Sequence, residues 1–258
     1  MSRNSLARRA LQRAARILRA GALYLPTRAL GTVTGVVTGE RLAALTFDDG
    51  PDPESTPQLL DTLERYGARA TFFVVGEAAQ RHADLLRRMF EAGHALGNHS
   101  WNHPSFPVIG SAERRRQIAA CEAAIGPYSS RLLRPPYANQ NLATMVDVRR
   151  MGFTTIAYDV TGTDWRDDPA EVVYERLVRG LRPGSILLLH DSLFIAEEAR
   201  YRSRQSTLEA VSMLLERHSC AYRFVTVPEL LRAGRPIRTW WYQPGDAAYL
   251  NTLRRANA

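Results

Sequence analysis

The chain has 258 residues, 45% of them hydrophobic and 23% charged, which suits one soluble domain of barrel size with its own core. Its net charge of +8 is concentrated in residues 1–39, which hold seven arginines and no acid; the rest is nearly neutral, which argues against a nucleic-acid-binding domain. No lysine occurs, excluding Schiff-base and P-loop chemistry, and two distant cysteines, Cys121 and Cys220, make neither a disulfide framework nor a metal pair.

Residues 4–22 are predicted to form a basic amphipathic helix. At about 100° per residue, Arg8, Arg9, Arg13, Arg16 and Arg19 share one arc, and Leu6, Leu11, Ala14, Ile17 and Leu18 share the opposite one. No apolar run approaches the ~20 residues of a membrane span. Arg19 and Arg28 closely bracket "AGALYLP", so a cleaved secretion signal is not expected. Such a helix fits either a solvated terminus or the surface of an anionic membrane. The expected location is therefore cytoplasmic or peripheral to a membrane, with residues 1–39 making the contact.

From residue 41 short apolar runs fit buried strands: "RLAALTF", "ATFFVV", "HALGN", "RLLRPP", "FTTIAYDV", "SILLLH" and "YRFVTV". Helical patterns lie between most of them. "STPQLLDTLERYG" offers Ser55 or Thr56 as cap and Gly67 as stop. "EAAQRHADLLRRMFEAG" ends at Gly93 and "SAERRRQIAACEAAIG" at Gly126, with Cys121 as core filler. "DDPAEVVYERLVRG" follows, and "STLEAVSMLLERH" opens with a capping box, Ser206 and Glu209. Seven strands alternating with helices predict parallel β/α architecture, either a barrel or an open sheet.

In both architectures chemistry gathers at the carboxyl ends of the strands. Asp48-Asp49, His99, Arg134 to Tyr137, Asp159 with Asp164, and His190-Asp191 all follow strand runs, as a ring around one mouth would. His94 reads as a turn residue, and His82 and His218 as structural helix residues. His99 and His103 are spaced i, i+4, which on one helical turn would aim both imidazoles at one metal. Asp-Gly and Pro-Asp favour turns, which accounts for one carboxylate of the pair. A cation accounts for the second: one Asp with the two histidines makes a His₂-carboxylate set, and the other is left as a general base. Across the mouth His190 is a candidate general acid, kept protonated by Asp164, and Arg134 can hold the base ionised.

The ordered motifs "TFDDGP", "HSWNHP", "RPPY", "DW" and "LLLHD" resemble those of the polysaccharide deacetylases, carbohydrate esterase family four, over about residues 41–231. The resemblance implies an α/β fold, a distorted parallel (β/α) barrel of about seven strands, and a divalent metal, with zinc expected. It implies Asp48 as base, Asp49 with His99 and His103 as metal ligands, and Arg134 positioning the base. The backbone N–H of Tyr137 would help stabilise the oxyanion, Trp165 and Leu188 would wall the acetyl pocket, and Asp164 would tune His190. The sequence departs from the family at Thr161, where another Asp is frequent, and at Ala138, where Gly is usual. It also carries a longer segment after Asp191 and a tail bearing Trp240-Trp241-Tyr242. Three regions are drawn: a basic arm at 1–39, a catalytic barrel at 40–232 and an extension at 233–258.

The expected activity is removal of N-acetyl groups from an amino-sugar glycan, with metal-activated water, Asp48 as base and His190 as acid. A non-catalytic sugar-binding protein on the same fold ranks lower, since base, acid and ligands are all present. A non-haem iron oxygenase also uses two histidines and a carboxylate, but leaves the second Asp and His190 without a task.

Overall fold

A computed structural model describes residues 30–243, apart from Asp167 and Glu197. The basic helix expected at 4–22 lies outside the described residues. The described residues form ten strands: β1 (Thr32–Val37), β2 (Leu42–Asp48), β3 (Ala70–Val74), β4 (Ala95–Asn98), β5 (Ser129–Leu133), β6 (Thr154–Thr155), β7 (Val160–Thr161), β8 (Ile186–His190), β9 (Arg223–Phe224) and β10 (Arg235–Thr239). Seven of them form one curled parallel sheet in the order β6-β5-β4-β3-β2-β8-β7, and β9 pairs alongside β2. This is the predicted α/β barrel. Its outer layer is α1 (Ser55–Arg65), α2 (Gly76–Arg81), α3 (Ala83–Glu91), α4 (Ser111–Ile125), α5 (Leu142–Arg150), α6 (Ala170–Gly180) and α7 (Gln205–His218), with α8 (Val227–Arg232) after β9.

The period of two along β2 explains how core and site share one strand. All seven of its residues are buried. Ala43, Leu45 and Phe47 pack into the helix layer with Leu59, Leu63 and Leu214. The Phe47 ring stacks on Phe72 at 5.3 Å. Leu42 and Ala44 face the other way, into the barrel, with Val33, Phe73, Ile156 and Ile186. Thr46 and Asp48 continue that inward face, so its floor is apolar and its mouth polar.

Residues 32–37 and 235–239, placed by the sequence in the arm and the extension, pair antiparallel as β1 and β10. Val33 and Val36 are buried in the barrel core. β1 covers the gap between the two ends of the sheet: Ala157 N donates to Val33 O at 2.7 Å, and Val36 N donates to Gly184 O at 2.9 Å. Gly184 has φ +86, and a Cβ there would lie 1.7 Å from Val36 O, so glycine is needed at this approach.

Several local expectations change. "FTTIAYDV" forms two short strands, β6 and β7, instead of one. Asp159 therefore lies just before β7 instead of ending a strand. Its Oδ1 accepts from Ile186 N, at the start of β8, and its Oδ2 pairs with Arg182. It belongs to the end of the barrel opposite the mouth. The helix expected through Gly93 breaks at His82 into α2 and α3. Ser55 and Thr56 do not cap α1; Asp52 accepts from Glu54 N and Ser55 N, and the two hydroxyls turn to Asp191. Ser206 lies inside α7 because Thr207 is drawn inward to Asp164, and the helix begins at Gln205. A capping box occurs instead at Thr226 and Glu229 of α8. His94 is buried: its Nδ1 accepts from Ala70 N, and burial with nearby Arg69 lowers its pKa to about 4.

Candidate active site

The carboxyl ends of β2, β4, β5 and β8 deliver the polar residues to one cleft of about 300 Å³. Asp48, Asp49, His99, His103, Arg134, Tyr137, Trp165, Leu188 and His190 all line it. Asp164, the remaining predicted residue, is buried behind His190.

On the inward face of β2, Asp48 Oδ1 accepts from Arg134 Nη1 at 2.6 Å. Arg134 is 1% exposed and held through both terminal nitrogens. Its Nη1 also donates to Thr46 Oγ1, its Nη2 donates to Ala157 O, and its guanidinium lies 4.3 Å from the Phe73 ring centroid. A fixed cation thus sits on one oxygen of Asp48, while the other, Oδ2, lies 3.7 Å from His99 Nε2.

Asp49 turns away from Asp48 because its backbone is left-handed, with φ 78. Its Oδ1 stands 3.3 Å from His99 Nε2 and 3.1 Å from His103 Nε2. His99 and His103 do not meet on a helix. Ser100 and His103 have φ 71 and 60, and the tight loop is pinned when Trp101 N and Asn102 N donate to Gln117 Oε1 of α4. Among the described residues, Asp49, His99 and His103 are the group whose ligand atoms all lie within 4.8 Å of one another.

The donor set fits a divalent cation. His99 Nδ1 lies 2.7 Å from Arg134 O, and a carbonyl only accepts, so Nδ1 carries the proton and Nε2 offers its lone pair toward Asp49. Asp49 Oδ1 is buried without a hydrogen-bond partner, as is His103 Nδ1. Asp49 Oδ2 is already taken by Phe194 N at 3.1 Å.

Across the cleft the second carboxylate–imidazole pair is complete. Asp164 Oδ1 meets His190 Nδ1 at 2.9 Å, and Oδ2 accepts from His190 N and Thr207 Oγ1. Arg204 Nη1 donates to Asp164 O and lies 3.7 Å from Oδ2. Burial works against a charged His190, yet Asp164, with Asp49 and Asp48 beyond, raises its pKa to about 9. Burial likewise opposes the Asp164 charge, which His190 and Arg204 hold in place. The edge of Trp165 meets the His190 ring at 5.7 Å.

Tyr137 has φ 57 and its ring meets His103 edge-on at 4.5 Å. Ala138 follows with φ 52, a conformation that glycine adopts without strain. Of the seven non-glycine residues with positive φ among the described residues, six (Asp49, Ser100, His103, Tyr137, Ala138 and Thr163) lie at or beside the cleft. Each such residue costs about 1–3 kcal/mol, so backbone strain is concentrated at the mouth.

Sequence reasoning passed over several cleft residues. Tyr158 and Gln243 line it, as do Leu193, Ile195 and Ala196 from the long segment after Asp191. Asp191 itself braces the Asp49 turn, accepting from Gly50 N and Thr56 Oγ1. Burial, with Asp49 adding to it, raises the Asp191 pKa to about 7. Its place in "LLLHD" was the available signal.

A family model described as polysaccharide deacetylase matches residues 35–156. A peptidoglycan-N-acetylglucosamine deacetylase of Listeria monocytogenes is 33% identical over 228 residues, covering 87% of this chain and 46% of that protein. A chitooligosaccharide deacetylase of Sinorhizobium fredii is 34% identical over 192 residues, covering 72% of this chain and 89% of that one. The chain belongs to the polysaccharide deacetylase family. It spans about half the length of the Listeria relative. Among solved structures, a family 4 acetyl xylan esterase of Clostridium thermocellum, in complex with a cobalt ion, superposes with TM-score 0.64 at 32% identity, covering 74% of this chain and 90% of that one. The family-model match ends before Asp164, Trp165, Leu188 and His190, but the alignment with the Listeria relative, over 87% of the chain, runs on past it.

Proposed function

We propose that this protein is a metal-dependent deacetylase that hydrolyses N-acetyl groups of an amino-sugar oligo- or polysaccharide and releases acetate. The observation that carries the reading is the opposition across one cleft of an incomplete Asp49–His99–His103 set and a complete Asp164–His190 pair, with Asp48 held by Arg134 between them. A cation bound by Asp49, His99 and His103 supplies Lewis acidity for the acetyl carbonyl and for water. Two imidazoles and one carboxylate suit zinc and leave coordination positions open.

The chain's own residues perform the proton transfers. Asp48, one oxygen fixed by Arg134, takes the proton of the attacking water through the other. The N–H of Tyr137 donates to the oxyanion that forms. His190, holding its proton against Asp164, delivers it to the leaving amine as the C–N bond breaks. Trp165 and Leu188 give the acetyl methyl an apolar wall. The relatives named above act, by their names, on peptidoglycan N-acetylglucosamine and on chitooligosaccharide, which share the acetamido sugar; that supports an N-acetyl substrate here. Acetate release from chitooligosaccharide and peptidoglycan by the zinc-loaded protein tests the reading, and no release from either would refute it.

The seven arginines of residues 1–39 support a second, locational proposal: contact with an anionic membrane, at roughly 1 kcal/mol per arginine near the surface. Because β1 starts at Thr32, the deletion that tests it ends at residue 29. Activity on a soluble substrate should persist and sedimentation with anionic vesicles should be lost. Full-length protein that ignores such vesicles at low salt refutes the contact.

A further inference from the structure

The segment that follows β10 reaches the cleft. After Thr239 leaves its pairing with Thr32, the chain lies against the loop that follows β5. Trp241 Nε1 donates to Ala138 O at 2.9 Å, and its ring meets Tyr158 edge-on at 5.4 Å. Gln243 and Gln140 exchange two backbone hydrogen bonds, 2.7 and 3.1 Å long. Gln140 is fully buried and its Nε2 donates both to Thr32 Oγ1 and to Trp241 O. This anchoring uses backbone groups and two inward side chains, so the segment has one defined path. It also clamps the turn at Ala138, whose left-handed conformation favours glycine.

What the segment presents is suited to a sugar. Gln243 lines the same cleft as Asp48 and His190. Its carboxamide offers both donors and acceptors, which match hydroxyl and acetamido groups. Side chains alternate along an extended segment, so Trp241 faces the barrel while its neighbours face out. Those neighbours, Trp240 and Tyr242, are 39% and 63% exposed.

We propose that Gln243, held in place by the anchored segment 240–243, forms a glycan subsite by hydrogen-bonding the acetamido sugar adjoining the one that is deacetylated. The proposal rests on the deacetylase reading and makes the protein selective for chains over single sugars. The competing structural role is a strap that merely holds the loop after β5. The two roles differ at Gln243, because Gln243→Ala keeps the backbone bridge to Gln140 and removes only the side chain in the cleft.

The experiment uses the full-length, zinc-loaded protein, with chitooligosaccharides of one to five units and a small aryl acetate as probes. Gln243→Ala should raise KM for the four- and five-unit chains by about two- to tenfold, the worth of one neutral contact. The kcat, the rate on the aryl acetate and the melting temperature should stay unchanged. A KM that is unaltered at every chain length overturns the subsite. So does an equal loss on the aryl acetate, which would assign the segment to strapping alone. Should the parent protein release no acetate from any glycan, tetrasaccharide binding decides by calorimetry. Weaker binding in Gln243→Ala than in the parent sustains the subsite, and equal or absent binding overturns it.

Discussion

Two buried carboxylates face imidazole rings on opposite sides of one cleft, and they differ in completeness. Asp164 has a partner for each oxygen: His190 Nδ1 on one, His190 N and Thr207 on the other. Asp49 has Phe194 N on Oδ2, while Oδ1 confronts two Nε2 atoms without a hydrogen bond. A satisfied pair stores a proton, since the anion stabilises the imidazolium beside it. An unsatisfied convergence of three electron-pair donors stores a place for a cation, since only a positive charge compensates all three at once. In the proposed reading the same residue types serve as acid on one side and as metal ligands on the other, according to what else reaches them.

The sharpest way to break this comparison is the adjacent pair Asp48 and Asp49. Asp48→Asn should keep its metal and lose turnover by about 10²–10⁴-fold, the span of a general base. Asp49→Asn should lose metal affinity itself. Exchange of the two behaviours in metal analysis and acetate assays would reverse the assignment.

The acid side is read by pH. The base must be ionised and the acid protonated, so activity should follow a bell, and the alkaline limb should fall as pH rises through the His190 pKa, raised to about 9. His190→Ala should lower turnover and abolish that limb while leaving metal content intact. Asp164→Asn should move the limb toward acid by about one to three units, because the opposite charge that raised the pKa is gone. An unmoved limb in Asp164→Asn would detach the pair from catalysis.

A smaller effect is expected at Thr207. Thr207→Val keeps both charges and removes one donor from Asp164 Oδ2. It should cost about 1.5–3 kcal/mol of stability, as for a hydrogen bond to a charged group, with turnover within a few-fold of the parent. Denaturant unfolding measures this; an unchanged midpoint would mean that Asp164 is less complete than its contacts indicate.

Much of the site was legible because chemistry was written in short motifs at strand ends. Asp48-Asp49, Arg134 and His190-Asp191 each follow an apolar run, and a strand end is a position that alternation can find. The way His99 and His103 meet was not legible. Equal spacing suits a helical turn, and only the left-handed backbone at Ser100 and His103, pinned by Gln117, makes it a loop. Asp159 was misplaced for a related reason: one apolar run, "FTTIAYDV", hid two strands and a crossing between them. β1 and β10 escaped because "TVTGVV" adjoins the arginine-rich arm and "RPIRT" is itself basic, so charge masked a strand pair. Gln243 lies 53 residues beyond His190, and nothing local in "WWYQPG" reports that it reaches the same cleft.

The central claim is that Asp49, His99 and His103 await a cation which the reaction requires. Acetate release from a chitooligosaccharide, followed while zinc is titrated into chelator-stripped protein, tests it most directly. The account predicts no release without metal and recovery complete at one zinc per chain, with His99→Ala failing to recover. Full activity in the stripped protein, or none at any zinc level, would contradict it.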